Sequence, residues 1–257
     1  MQMQDNLYSI AFIIFYLVII WVFLTKILWS KIQEESLKNQ NMVWKWTFLA
    51  YFLLGFGDLF HLGLRIIVYF ASWGPDDHLT NLFIGSGYVI TGITMTYFYI
   101  AIFHAWAKLY GEKYSTPLKV KIFTAVLYSA FIVRLILMAL PYNRWYEGIS
   151  TVDFGFDFRI ITSLPIYVIG LITVYLLIRD SMAEKKHTTG IDPEINKGNY
   201  IAALWYIISF LTYSITNFFV AFFPLTGLFM IPKTIAYLVA FYYHYKTLLK
   251  KDTRQII

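Results

Sequence analysis

The chain has 257 residues, 59% of them apolar, where an ordinary water-soluble domain is about half apolar, so lipid must cover much of its surface. It has no cysteine, which excludes disulfides, thiolate nucleophiles, sulfur-ligated zinc and iron–sulfur clusters. The net charge of +6 does not point to nucleic acid, because Lys and Arg gather in short segments between apolar runs, the distribution that orients a membrane protein.

Seven apolar runs are each near or above the ~20 residues that span a hydrocarbon core. The first, Leu7 to Leu28, follows a stretch with no positive charge, is too long for a signal peptide and lacks a small-x-small cleavage site, so a retained helix is expected. The second, Trp44 to Ala71, carries Tyr51, Asp58, His61, Arg65 and Tyr69 at spacings of seven, three, four and four, which puts them on one helix face. Gly55 shares that stripe and admits a close neighbour. Ser72 to Asp77 is a turn, since Gly74-Pro75 ends a helix. The third run, Leu82 to Trp106, contributes Tyr88, Thr91 and Thr94. The fourth, Val120 to Leu140, contributes Arg134, and the fifth, Phe158 to Ile178, has Arg159 at its mouth. Asp180 to Lys197 is expected to be a solvated loop. The sixth run, Tyr200 to Phe223, offers Ser209, Thr212, Tyr213, Thr216 and Asn217. After a tight turn at Pro224 and Gly227, the seventh, Leu225 to Tyr245, aligns Lys233, Tyr237, Ala240 and His244, with Pro232 loosening the backbone before the lysine.

No segment between runs exceeds about twenty residues, which leaves no room for a separate soluble unit. The expected architecture is an all-α, polytopic, seven-transmembrane-helix bundle forming one domain over residues 1–257, a multi-pass protein of the cell membrane. Alternate loops fix its orientation. Lys26, Lys31, Lys38 and Lys45 share one side with Lys108, Lys113, Lys119 and Lys121, with Arg179, Lys185, Lys186 and Lys197, and with Lys246, Lys250, Lys251 and Arg254. The other side has Arg144 with Asp5, Asp76, Asp77, Glu147, Asp153 and Asp157. The positive-inside rule therefore places the N-terminus outside and the C-terminus in the cytoplasm. Trp44, Trp46, Trp73, Trp106 and Trp145, near run ends, are expected to anchor at the interface, and His104 and His244 to be interfacial histidines without a catalytic part.

Arg65, Arg134, Arg159 and Lys233 are the basic residues left inside the runs. An ionisable group at membrane depth costs roughly 2.5 to 3.5 kcal/mol on insertion scales, so each is expected to face the interior. All four fall in the outer half. Three or four cations, one buried acid and several hydroxyls predict an outward-opening cavity for an anion. Arginine suits carboxylate or phosphate through its planar fork. An apolar wall behind a cationic mouth suits an anionic amphiphile, a lipid phosphate, prenyl phosphate or fatty carboxylate. The expected function is binding or transport of such a molecule, with Arg65, Arg134 and Lys233 on the anion, Arg159 at the mouth, Asn217 and Tyr237 lining the site, and Asp58 and His61 orienting it or exchanging protons. An intramembrane enzyme acting on a lipid headgroup is the alternative, with His61 as base and Asp58 holding its tautomer. A structural subunit, in which Asp58, Asp153 and Asp157 neutralise the cations, is another. No metal site is expected, because the histidines lie at different depths, and neither cofactor nor protein partner can be read.

Seven helices, this length and orientation, and Lys233 on the last helix together resemble a microbial rhodopsin in architecture. The resemblance implies retinal bound to Lys233 as a Schiff base. The motifs depart from that pattern: helix seven has no aspartate one turn before the lysine, and Tyr88 to His104 holds no carboxylate. Asp58 is left as the one candidate counterion.

Overall fold

In the computed structural model we describe residues 7–33, 42–74, 77–146, 158–187, 190–219, 223 and 228–249. They form seven long helices and no strand: α1 (Leu7–Gln33), α2 (Met42–Phe70), α3 (His78–Trp106), α4 (Pro117–Ala139), α5 (Phe158–His187), α6 (Pro193–Phe219) and α7 (Met230–His244). Helices α1 to α6 are long and apolar enough to cross a membrane. The fifteen residues of α7 continue into a five-residue π turn, Tyr245–Leu249. Together they reach roughly 30 Å at ~1.5 Å per residue, the thickness of a hydrocarbon core. Asp5, Lys38, Pro75, Asp76, Glu147, Asp153, Asp157, Pro224, Gly227, Lys250, Lys251 and Arg254, named above, lie outside the described residues.

Local chemistry sets where helices begin. Asp77 accepts the Leu79 N–H at 2.9 Å and starts α3. Thr116 accepts the Lys119 N–H at 3.3 Å ahead of Pro117 and starts α4. Asp192 accepts the Glu194 N–H at 2.8 Å around Pro193 and starts α6. Each cap satisfies a backbone donor that the first helical turn leaves without a partner, and proline lacks one to satisfy.

The bundle is apolar outside, and its largely apolar core has polar side chains set into it. Phe15, Val18 and Val22 on α1, Ile132, Val133 and Ile136 on α4, and Leu171 and Leu211 on α5 and α6 are exposed. A surface of that kind belongs in lipid. Inside, Thr47, Thr96, Thr173 and Thr212 turn their hydroxyls onto the carbonyls one turn back, at 2.6–2.9 Å, which satisfies polar groups where no water competes. The chain is a helical integral membrane protein.

The most extensive contacts are between α2 and α3 and between α6 and α7; α5 joins α4 to α6 and also touches α3, and α1 lies against α2. Small residues make the close pairs possible. A Cβ on Gly57 would overlap the Thr94 hydroxyl, and Thr91 donates to the Gly57 carbonyl at 2.7 Å. On the neighbouring face a Cβ on Gly55 would come within 2.7 Å of Ile20, so this glycine seats α1, as its place in the stripe predicts.

The basic end departs from expectation. Asp180 to Lys197, expected as a solvated loop, is mostly the interlocked ends of α5 and α6: Asp180, Glu184 and Ile195 are 1%, 3% and 0% exposed. Helix α3 likewise continues past its apolar run through a π turn, Ala107–Gly111, to Tyr114. Trp106 donates to Asp180 at 2.8 Å, Lys113 to Glu184 at 2.7 Å and Tyr110 to Asn196 at 2.9 Å. Hydropathy marks where lipid begins and ends, whereas these polar helix ends are buried by one another. For the same reason Trp44 and Trp106, expected at the interface, are buried in protein. Trp44 donates to the Leu249 carbonyl at 3.2 Å, and Trp145 to the Met138 carbonyl at 2.8 Å. His244, also expected at the interface, is 2% exposed.

Candidate functional site

Asp58, His61 and Arg65 climb one face of α2 toward its C-terminal end. The Tyr16 hydroxyl of α1 donates to the Asp58 carboxylate. His61 does not share that bond; its ring lies 4.9 Å from that of Tyr88, and its Nδ1 is buried without a hydrogen-bond partner. The i, i+3 spacing therefore does not produce a hydrogen-bonded acid–base dyad. Arg65 donates from Nη2 to the Tyr88 hydroxyl at 3.0 Å, while its Nε is buried without an acceptor.

Lys233 ties this face to the opposite wall. Its Nζ stands 5.1 Å from the ring centre of Tyr213 and 6.0 Å from that of Tyr237, and its charge acts on both Asp58 and His61. Tyr213 in turn exchanges a hydrogen bond of 3.1 Å with Ser163 and stands, with Tyr167, beside the guanidinium of Arg134. Arg134 is 5% exposed, and its Nε and Nη1 have no acceptor among the described residues. A Cβ on Gly92 would come within 2.6 Å of the Met138 methyl, so glycine on α3 seats Met138, with Arg134 Nη2 in ordinary contact at 3.7 Å. Tyr167 Oη, Ser209 Oγ and Asn217 Nδ2 are also buried without partners.

The remaining expected ligands have other duties. Arg159 donates to the carbonyls of Asn143 and Arg144 at 2.8 and 2.9 Å and covers the ring of Trp145, which ties the outer end of α5 to the turn after α4. Tyr237 bonds Tyr99, hydroxyl to hydroxyl, at 2.8 Å. Beneath Lys233, Phe98, Tyr99, Tyr206 and Tyr237 pack ring on ring with centroids 4.9–6.3 Å apart. One cavity lies beside His244 and another between α1 and α7, and neither is lined by Arg65, Arg134 or Lys233. Among the described residues no three His, Asp or Glu side chains converge as metal ligands.

The chain matches no protein-family model, and neither curated proteins nor solved structures yield a significant match. Function therefore rests on the site itself.

The structure thus brings Asp58, His61, Arg65, Arg134, Lys233 and Asn217 toward one end of the bundle, and Arg159 and Tyr237 bond within the protein. Sequence reasoning missed Tyr16 and Tyr167. A signal for Tyr16 was present, since it is the one hydroxyl between Ser9 and Thr25 on a helix otherwise apolar there. Several donors on these side chains, Arg65 Nε, Arg134 Nε and Nη1 and Asn217 Nδ2, have no acceptor among the described residues.

Proposed function

We propose that this chain is a binding or transport protein of the cell membrane whose outer half takes the carboxylate or phosphate head of an anionic amphiphile. The observation that carries the reading is Arg134. A guanidinium sealed in a low-dielectric interior is costly unless an anion or acceptors compensate it. Here two of its nitrogens have neither among the described residues. Arg65 and Lys233 raise the local positive charge, and Asp58, the carboxylate beside Lys233 among the described residues, is already bonded to Tyr16. The surrounding Tyr and Phe rings supply an apolar wall for a tail.

Thermal unfolding of the detergent-solubilised protein with palmitate, hexadecyl phosphate or hexadecanol tests this. A ligand at a hundred times its dissociation constant stabilises by about 2.7 kcal/mol, a shift of several degrees in Tm. The charged pair should raise Tm, hexadecanol should not, and Arg134→Gln should abolish the rise. Equal shifts with all three, or none with any, would overturn the reading.

A further inference from the structure

Helix α1 packs mainly on α2, and where it also approaches α7 it leaves a groove. The groove encloses about 260 Å³ and is lined by Ile19 and Phe23 of α1 and by Leu238, Val239, Tyr242 and Tyr245 of α7 and its π turn. Apart from the tyrosine hydroxyls, those side chains are hydrocarbon. Tyr242 is 52% exposed, and the exposed Val18 and Val22 flank Ile19 and Phe23, so the groove opens onto the apolar outer surface. Left empty, it would deprive its walls of dispersion contacts, and the hydrocarbon at hand in a bilayer is a lipid chain.

Both flanking helices run antiparallel to α2. Along α1, Tyr16 meets Asp58 and Trp21 meets Phe52; along α7, Phe241 stacks on Tyr51 at 4.4 Å and the Leu249 carbonyl accepts the Trp44 indole N–H. Helices α1 and α7 are therefore parallel, and Phe23 and Tyr245 meet across the groove with ring centres 5.0 Å apart. Just past that contact each helix presents an exposed lysine, Lys26 three residues after Phe23 and Lys246 one residue after Tyr245. Helical register keeps them on the groove side, since Lys26 lies at i+3 and i+7 from Phe23 and Ile19, and Lys246 at i+4 from Tyr242. The groove thus ends between two cations at the basic end of the bundle. Flexible lysine stems reach from helix ends to the level of the headgroups, and basic pockets between membrane helices hold anionic ones. A second copy packed on the same face through a two-fold axis would instead bring lysines against lysines.

We infer that the groove between α1 and α7 holds an acyl chain of an anionic glycerophospholipid whose phosphate lies between Lys26 and Lys246. This site shares no residue with the seam around Arg134, goes beyond the anion reading and does not depend on it.

The test is native mass spectrometry of the full-length protein released from nanodiscs of equal phosphatidylcholine and phosphatidylglycerol. The native chain should retain one phosphatidylglycerol, enriched over phosphatidylcholine by at least about tenfold, as two lysines at a headgroup predict. Lys26→Gln with Lys246→Gln should bring the retained lipid to the bilayer's own proportions, and arginine at both positions should keep the enrichment. Val239→Phe, which fills the groove and leaves both lysines in place, should abolish retention; if that variant fails to fold, the paired glutamine variant decides. Equal retention of the two lipids by the native chain overturns the site, as does enrichment that survives both glutamines or Val239→Phe. A dimer lost with Val239→Phe would put a second copy in the groove and would likewise overturn it. The palmitate measurement reads Arg134 with neither lysine changed, so a failure here leaves that result standing.

Discussion

Tyr16 and Arg134 show two ways of keeping a charge inside lipid. Asp58 has a donor from a neighbouring helix, and a hydrogen bond to a charged group contributes about 1.5–3 kcal/mol. Tyr16→Phe should lower unfolding free energy in detergent by about that amount, whereas Phe15→Leu, on the lipid-facing side of the same turn, should leave it within about 0.5 kcal/mol. Equal effects would mean that the Tyr16 hydroxyl contributes nothing. Arg134 has aromatic neighbours and no ion-pair partner among the described residues, which makes it the residue on which ligand binding turns. The sequence placed Asp58, His61 and Arg65 together because helical periodicity alone puts them on one face. It could not say that Asp58 turns to α1 while His61 and Arg65 turn to α3, since that depends on which helices flank α2.

At the scale of the helix, glycines separate contact from propensity. Gly57→Ala gains up to about 1 kcal/mol of helix propensity but forces a methyl into Thr94, and overpacking costs about 1–3 kcal/mol. The net expectation is a lower Tm. Gly63→Ala on the same helix meets nothing closer than Leu59 at 3.6 Å and should raise Tm. Where α3 ends, desolvation works against the Lys113 ammonium, but the hydrogen bond and charge of Glu184 outweigh it and raise its pKa. A raised pKa stabilises the fold at every pH below the unfolded lysine value of about 10.4, and that contribution is lost as pH climbs through the higher folded value. Native protein and Glu184→Gln should therefore differ in Tm from neutral pH to about pH 9 and converge in stronger alkali. A gap that persists there would assign the effect to Tyr114, which also donates to Glu184.

At the scale of the molecule, the absence of cysteine makes orientation directly measurable. Single replacements Lys108→Cys and Tyr142→Cys lie on exposed residues near opposite ends of the bundle. A membrane-impermeant maleimide applied to intact cells should label the second and spare the first; the reverse pattern would invert the bundle. The helix ends were only partly legible for a related reason. An apolar run reports how much of a helix touches lipid, so α5 and α6 were read short, although Asp180, Glu184 and Asn196 continue their helices into a packed inner layer.

Local pattern was enough for the all-helical, membrane-spanning character and the polar face of α2. Those properties depend on backbone periodicity and transfer energy, which each segment carries within itself. Tertiary structure alone decided that Tyr16 holds Asp58, that Tyr213 brings Lys233 and Arg134 to one place, that Arg159 is occupied by backbone carbonyls, and that His244 stands inside a hydrogen-bonded core. Each of these joins residues from helices far apart in the chain, and which side chains meet is settled only when the helices choose their neighbours.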